Sequence, residues 1–140
     1  MQFIDINTEY KIFQKDINRS INKVIKKSNF ILGSEVKELE NKLENFTGSK
    51  YCITTSSGTD GLLLALKSLN LKKNDEVIIP DFAYVSPAEV AALLNLKIKF
   101  VDVDYETFLM DSKKLKEKIT NKTKVIIAVS LFGQCPNFTE

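Results

Sequence analysis

The chain has 140 residues, of which 44% are hydrophobic, so it is long enough to form one domain with a buried core. Its 20 basic and 18 acidic residues are nearly balanced and scattered, which gives no electrostatic reason to expect nucleic acid or a membrane surface as a partner. The chain contains no histidine, and this excludes Ser-His-Asp and Cys-His catalysis within it and argues against a zinc site.

The sequence predicts no membrane span and no signal peptide, and its two cysteines predict no disulfide framework. No apolar run approaches the ~20 residues that a membrane-spanning helix needs, and MQFIDINTEY lacks the basic and then apolar plan of a signal peptide. We therefore expect a cytoplasmic protein. Cys52 and Cys135 form neither a disulfide framework nor a metal-ligand spacing, so we expect structural thiols and no metal site.

Two amphipathic helices are predicted before residue 50. Apolar side chains recur at helical spacing between residues 8 and 27, with Thr8 as the expected cap. Ser34 is expected to cap a second helix over residues 35–46, and Gly48 is expected to end it.

From Lys50 onward, short apolar segments alternate with amphipathic ones. Strands are predicted at 51–55, 76–80, 97–103 and 124–129, and helices at 58–70, 86–95 and 112–119. This βαβαβαβ order predicts an α/β fold with an open, mostly parallel sheet flanked by helices. The runs 77–79 and 125–129 are apolar without alternation, as expected for strands covered on both faces. Because only SLFGQCPNFTE follows the last predicted strand, we expect the chain to be part of a longer domain.

The stretch TTSSGTDG, residues 54–61, joins the first predicted strand to the next helix. Gly58 is expected to adopt backbone angles that other residues avoid, while hydroxyls and the free N–H groups of the first helical turn converge on one small space. Such a turn readily binds a phosphate. The alternative is that Ser57 or Thr59 only caps the helix.

Two further loops are predicted at the same edge of the sheet, because ligands of open α/β sheets bind at the carboxyl ends of the strands. In PDFAYVSPAEV, residues 80–90, Tyr84 could stack on a flat heteroaromatic ring whose phosphate lies at residues 58–60. The alternative is that Phe82 and Tyr84 pack under the loop. In SLFGQ, residues 130–134, Ser130 follows the last strand.

The stretch FVDVDYETFLMD, residues 100–111, is rich in carboxylates. Its spacing departs from the calcium-loop pattern, so we expect these residues to close the turn after the strand and to cap the next helix.

Six segments in order resemble the DegT/DnrJ/EryC1/StrS family of sugar aminotransferases, and the resemblance runs along the whole chain. The segments are FIDINTEY at 3–10, NFILGSEVKELE at 29–40, SSGTDGLLLAL at 56–66, DEVIIPDFAYVSPAEV at 75–90, FVDVDYETFLMD at 100–111 and TKVIIAVSLFGQ at 123–134. The resemblance implies a pyridoxal-phosphate enzyme with the aspartate-aminotransferase fold (fold type I). Residues 1–140 would be the N-terminal part of its large domain, with a helical segment at 1–49 and the start of the α/β sheet at 50–140.

The resemblance also implies roles for particular residues. Gly58, Thr59 and Asp60 would bind the phosphate of pyridoxal 5'-phosphate, and Tyr84 would stack on its pyridine ring. Ser130 stands where many members carry histidine. The Schiff-base lysine and the aspartate that pairs with the pyridine nitrogen would lie beyond Glu140, together with the rest of the large domain and the small domain, so we expect the 140 residues to be inactive alone.

The family's reaction transfers an amino group from an amino-acid donor such as glutamate to a keto group on a nucleotide-linked sugar, and its members are homodimers. Two alternatives stay open. One is a sugar dehydratase of the same family, in which histidine replaces the Schiff-base lysine; the other is a non-catalytic remnant or binding module. A nicotinamide-nucleotide fold is disfavoured because TTSSGTDG lacks the GxGxxG turn.

Overall fold

The computed structural model describes residues 4–139 and divides the chain into two compact units, residues 1–54 and 55–140. The first unit contains the helices α1 (Ile6–Lys27) and α2 (Ser34–Thr47). The second contains α3 (Gly58–Ser68), β1 (Glu76–Pro80), α4 (Ser86–Leu93), β2 (Lys97–Val101), α5 (Ser112–Lys118) and β3 (Thr123–Ile126). Within residues 4–139, no helix is both long enough and apolar enough to cross a membrane.

Both N-caps predicted for the first unit are wrong. Asp5 caps α1: its carboxylate accepts the Thr8 amide at 3.0 Å and the Thr8 hydroxyl at 2.7 Å, so the helix begins before Thr8. Gly33 is the N-cap of α2, and a side chain is disfavoured there because a Cβ would lie 2.9 Å from the Asn29 carbonyl oxygen. Ser34 lies inside the helix. Gly48 ends α2 with a φ of 71°, as predicted.

The strand predicted at residues 51–55 is absent. Side chains there alternate between exposed and half-buried as in a strand, but the backbone amides bind side chains instead of a neighbouring strand. The Cys52 amide donates to Glu44 Oε1 at 2.9 Å, and the Thr54 amide donates to Glu40 Oε1 at 2.9 Å. The segment is not part of the sheet, because no described strand pairs with it.

The second unit is built on a parallel sheet with the strand order β2-β1-β3, flanked by helices. The central strand β1 is buried at all five positions. Val77 and Ile79 point to the face covered by α3 and α4, where Leu66, Val90 and Ala91 complete the core. The α/β prediction with a parallel, helix-flanked sheet is therefore confirmed, and residues 4–139 contribute three strands to the sheet where four were predicted.

The edge strand β3 differs from its prediction. It is shorter than 124–129, and its residues alternate between half-buried and exposed, with Ile126 43% exposed. The apolar run 125–129 predicted a strand covered on both faces. Among the described residues β3 is an edge strand, and it is therefore less buried than the central strand β1. In the second unit the helices α3, α4 and α5 end one or two residues earlier than predicted, and β2 ends at Val101.

Candidate functional site

A pocket of about 560 Å³ lies at the carboxyl ends of β1 and β3, beside the first residues of α3 and α4. The three loops that the sequence places at this edge all contribute to it. Its lining residues are Gly58, Thr59, Leu62, Tyr84, Ser86, Pro87, Ile127, Ala128, Val129 and Ser130. Of the residues predicted to bind a cofactor, Gly58, Thr59 and Tyr84 therefore meet in one pocket, while Asp60 is outside this lining.

The start of α3 explains the position of Asp60. Ser57 is the N-cap, with its hydroxyl oxygen 3.1 Å from the Asp60 amide nitrogen, and Asp60 Oδ2 accepts the hydroxyls of Ser56 and Ser57. The hydrogen bond from Ser56, followed by that from Ser57, lowers the pKa of Asp60, so the carboxylate is charged. Asp60 thus organises the turn. Ser57 therefore caps the helix, as one of the two alternatives predicted, and this cap leaves the pocket side of the turn open.

Two amides at this turn remain available to a ligand. The N–H groups of Asp60 and Gly61 are taken by the hydroxyl and the carbonyl of Ser57. Within the described residues, no acceptor is present for the amides of Gly58 and Thr59, which belong to the first helical turn. The positive end of the α3 dipole therefore faces the pocket with two free donors.

Gly58 has a different role from the one its sequence context predicts. Its φ is not positive, so the prediction of unusual backbone angles at Gly58 is wrong. The residue begins α3 with helical geometry. A Cβ built at Gly58 would meet no atom within 4 Å. The glycine therefore keeps space open at the pocket wall, where a side chain would occupy it.

Thr59 and Ser86 connect the two helix starts. Their hydroxyl oxygens are 2.8 Å apart, and Ser86 is only 5% exposed. Ser86 was not among the predicted site residues, although a serine at the first residue of a helix after a sheet strand is a signal that could have identified it. Leu62, Pro87 and residues 127–129, which supply apolar walls, were not predicted as site residues either.

The aromatic residues of the three loops separate into two groups. Tyr84 is 78% exposed and lines the pocket, so it does not pack under its loop. Phe82 does pack: its ring centroid is 5.7 Å from that of Phe108, which is 6.3 Å from that of Phe132. These three rings bring the loops that follow β1, β2 and β3 into contact with one another.

The acidic stretch after β2 closes a turn and caps a helix, as predicted. Asp104 Oδ1 accepts the amides of Glu106 and Thr107, and Asp111 Oδ1 accepts the amides of Lys113 and Lys114 at the start of α5. No group of three or more metal-ligating side chains occurs among residues 4–139. Cys52 and Cys135 are free thiols.

The sequence profile of the DegT/DnrJ/EryC1/StrS aminotransferase family matches residues 11–140. Among curated proteins, the chain is similar to the UDP-2-acetamido-2-deoxy-3-oxo-D-glucuronate aminotransferase of Pseudomonas aeruginosa. The two are 43% identical over 138 residues, which is 99% of this chain and 38% of that protein.

Two solved structures are also similar. A DegT DnrJ EryC1 StrS aminotransferase from Brucella abortus matches 99% of this chain and 39% of its own, with a TM-score of 0.89 and 33% identity. The E. coli GDP-4-keto-6-deoxy-D-mannose-3-dehydratase with bound hydrated PLP matches 87% of this chain and 33% of its own, with a TM-score of 0.83 and 34% identity. The chain thus spans about a third to two-fifths of the length of these relatives.

Proposed function

The chain belongs to the DegT/DnrJ/EryC1/StrS aminotransferase family, and on that premise we propose that it is part of a pyridoxal-phosphate aminotransferase that acts on a nucleotide-linked keto-sugar. The amino donor is an amino acid such as glutamate. The observation that carries the proposal is the pocket at the carboxyl ends of β1 and β3, in which a helix N-terminus and an aromatic ring from two different loops face one space.

The residues of this pocket fit pyridoxal phosphate from two sides. Gly58 and Thr59 offer free amides at the N-terminus of α3, the Thr59 hydroxyl lies beside them, and the absent side chain at Gly58 leaves room for phosphate oxygens. Tyr84 presents an exposed ring to the same pocket and would stack on the pyridine. Pro87 and Val129 supply apolar walls that reduce water access to the ring.

When bound, pyridoxal phosphate supplies the electron sink that makes amino transfer between an amino acid and a keto compound possible. The chain's own residues bind and orient it. Thr59 and the α3 amides would hold the phosphate, and Tyr84 would fix the plane of the ring. Asp60, held away from the pocket by the Ser56 and Ser57 hydroxyls, acts on the phosphate only through the turn that it organises.

The reaction also needs a lysine that binds the cofactor and moves a proton. No lysine lines the pocket within residues 4–139. We propose that this lysine, and an acidic partner for the pyridine nitrogen, belong to the part of the protein outside these 140 residues.

A dehydratase of the same family is the second candidate. The similarity to the E. coli dehydratase, 34% identity over 87% of this chain, is close to that of the Brucella aminotransferase, so this part of the protein does not separate the two activities. The residue at the lysine position outside the chain would decide between them.

Binding is the direct test of the cofactor site. Isothermal titration of the protein with deoxypyridoxine phosphate, which has no aldehyde to react with surface lysines, is expected to show one site, and the thermal midpoint is expected to rise with ligand concentration. Absence of saturable binding would reject the proposal. Activity is then tested by supplying glutamate and a nucleotide-linked keto-sugar to the complete protein and measuring the glutamate-derived keto acid, which a dehydratase forms without an aminated sugar accumulating.

We also propose that the complete protein is a homodimer. Within the first unit, the apolar face of α1 is uncovered: Phe13, Ile21 and Ile25 are 53%, 52% and 54% exposed. A face of this kind favours association with another surface. Sedimentation equilibrium of the complete protein is expected to give twice the chain mass, and a monomer over the accessible concentration range would contradict this.

A further inference from the structure

We propose that Ser86 is a positioning residue of the cofactor site, which orients the Thr59 hydroxyl so that it donates to the phosphate. This inference rests on the proposed function and adds a residue to it. The site as predicted from the sequence has its phosphate contacts on α3 alone, whereas Ser86 is the first residue of α4.

The geometry of the pair points to this role. The two hydroxyl oxygens are 2.8 Å apart although the residues are 27 positions apart in the chain, so the contact is made by the tertiary structure. Both residues line the pocket. Ser86 is 5% exposed, and within the described residues Thr59 is the one hydrogen-bond partner of its hydroxyl. A buried hydroxyl has few ways to satisfy its donor, so its proton is committed to Thr59 or to the pocket.

The direction of the hydrogen bond follows from the ligand. Either hydroxyl could donate in the pair when it is considered alone. A phosphate has only acceptor oxygens, so when one lies against Thr59, the Thr59 proton is drawn to it. The oxygen of Thr59 is then free to accept, and Ser86 is the donor at the right distance. The result is a chain of two hydrogen bonds, from Ser86 to Thr59 and from Thr59 to the phosphate.

Such a chain strengthens the contact with the anion in two ways. Each hydrogen bond polarises the next one, which makes Thr59 a better donor. The bond from Ser86 also holds Thr59 in the rotamer that faces the pocket, so that less rotational freedom is lost when the ligand binds. Both effects depend on the phosphate and neither depends on the pyridine ring.

This dependence separates a positioning role from a purely structural one. If Ser86 only supported the fold, its loss would weaken binding of every ligand of the pocket. If it positions Thr59, its loss weakens ligands that carry the phosphate and leaves their dephosphorylated forms unchanged. Deoxypyridoxine phosphate and deoxypyridoxine form such a pair, and both lack the aldehyde.

The experiment compares the affinities of these two ligands for the wild-type protein and for Ser86→Ala by isothermal titration. We expect Ser86→Ala to raise the Kd of deoxypyridoxine phosphate about 5- to 10-fold, as for the loss of support to one charged hydrogen bond, with the Kd of deoxypyridoxine unchanged. Thr59→Val is expected to lower phosphate affinity as well, and adding Ser86→Ala to it should have no further effect, because the Thr59 hydroxyl through which Ser86 acts is gone. Ser68→Ala, which removes a hydroxyl bonded to the Ala65 carbonyl at the other end of α3, is the control.

Each outcome of the titrations either supports or rejects the positioning role of Ser86. If the wild-type protein binds neither ligand saturably, the proposed function fails and the role of Ser86 falls with it. If the wild-type binds and Ser86→Ala loses affinity for both ligands equally, or for neither, the positioning role is rejected while the cofactor site stands. If Ser86→Ala does not fold, Ser86→Cys replaces it, since a thiol fills the position with a slightly larger group that is a weaker donor, and the same ratio of the two affinities is measured.

Discussion

Ser57 and Asp60 hold each other at the start of α3: the Ser57 hydroxyl oxygen is 3.1 Å from the Asp60 amide nitrogen and 3.0 Å from Asp60 Oδ2. The pair differs from a capping box, because Asp60 Oδ2 accepts the Ser57 hydroxyl and not the Ser57 backbone amide. It also consumes the Asp60 amide, which is why the free donors of the turn are those of Gly58 and Thr59.

Removing the cap is expected to lower stability and affinity together. Ser57→Ala leaves the Asp60 amide without its acceptor and should lower the free energy of unfolding by about 1 kcal/mol, measured by urea denaturation. Affinity for deoxypyridoxine phosphate should fall as well, because the first turn of α3 frays. Ser57→Thr, which keeps a hydroxyl that can accept the Asp60 amide and donate to the Asp60 carboxylate, is the matched control for stability; equal stability of Ser57→Ala and wild type would contradict the role of the cap.

Gly58→Ala is expected to separate affinity from stability. Because Gly58 has helical geometry and a Cβ there meets nothing within 4 Å, the alanine should fold without loss of stability. The added methyl group occupies open space at the pocket wall, so the Kd of deoxypyridoxine phosphate should rise about tenfold. Gly61→Ala, whose Cβ would lie 3.4 Å from the Thr55 hydroxyl oxygen and away from the lining, is the control. An unchanged Kd in Gly58→Ala would place the phosphate elsewhere.

Tyr84 is expected to contribute to ligand affinity through its aromatic ring and not through its hydroxyl. Since the residue is 78% exposed, Tyr84→Ala should leave the thermal midpoint unchanged. It should raise the Kd of deoxypyridoxine phosphate and of deoxypyridoxine alike, by about 3- to 10-fold, as for loss of one aromatic contact. Tyr84→Phe keeps the ring and should bind like the wild type. A strong loss in Tyr84→Phe would show instead that the hydroxyl is the important group.

Glu76 gives the protein an acid-sensitive ion pair at the opposite end of β1. Its buried carboxylate lies 2.8 Å from Lys99 Nζ and accepts the Thr120 hydroxyl. The Lys99 ammonium, and then the Thr120 hydroxyl, lower the pKa of Glu76 from 4.5 to about 2.

Because the pKa of Glu76 is lower in the folded state than in the unfolded state, its ionised carboxylate stabilises the protein at pH values above 4.5. This stabilisation is lost as the pH falls from 4.5 towards 2. Glu76→Gln should therefore be less stable than wild type at neutral pH, with a smaller difference at acid pH, as measured by denaturant midpoints across a pH series. Glu38→Gln, which breaks the exposed pair with Lys42, is the control and should have little effect. A constant difference across the series would contradict the linkage.

Glu40 is expected to protect the amide of Thr54 from hydrogen exchange. Its Oε1 accepts both the amide and the hydroxyl of Thr54 at 2.9 Å, which also lowers the pKa of Glu40. Glu40→Ala should speed hydrogen exchange of the Thr54 amide about tenfold, because that amide loses its partner. Glu40→Gln retains a carbonyl acceptor and should exchange more slowly than Glu40→Ala. Equal exchange in all three proteins would rule out the contact in solution.

Local patterns predicted most of the elements well. The uninterrupted apolar run at Val77–Ile79 indicated a buried parallel strand, and β1 was found with both of its predicted bounds, because a strand that is buried on both faces leaves little choice of boundary. Gly48 ended α2 as expected, since the left-handed conformation there suits glycine. The failures came where a partner outside the local window decided the outcome. Residues 51–55 have the composition of a strand, but their amides bind Glu40 and Glu44.

The sequence by itself determined the α/β class, the order of the elements and the three loops that meet at one edge of the sheet, because these follow from hydrophobic periodicity and from the parallel arrangement of strands. Only the tertiary structure decided which residues of those loops face the pocket. It turned Asp60 toward Ser56 and Ser57, packed Phe82 against Phe108 while leaving Tyr84 exposed, and brought Ser86 to Thr59. Those choices depend on contacts between residues distant in the chain, whose distances and directions are set by the packing of helices on the sheet and are not encoded in any local pattern.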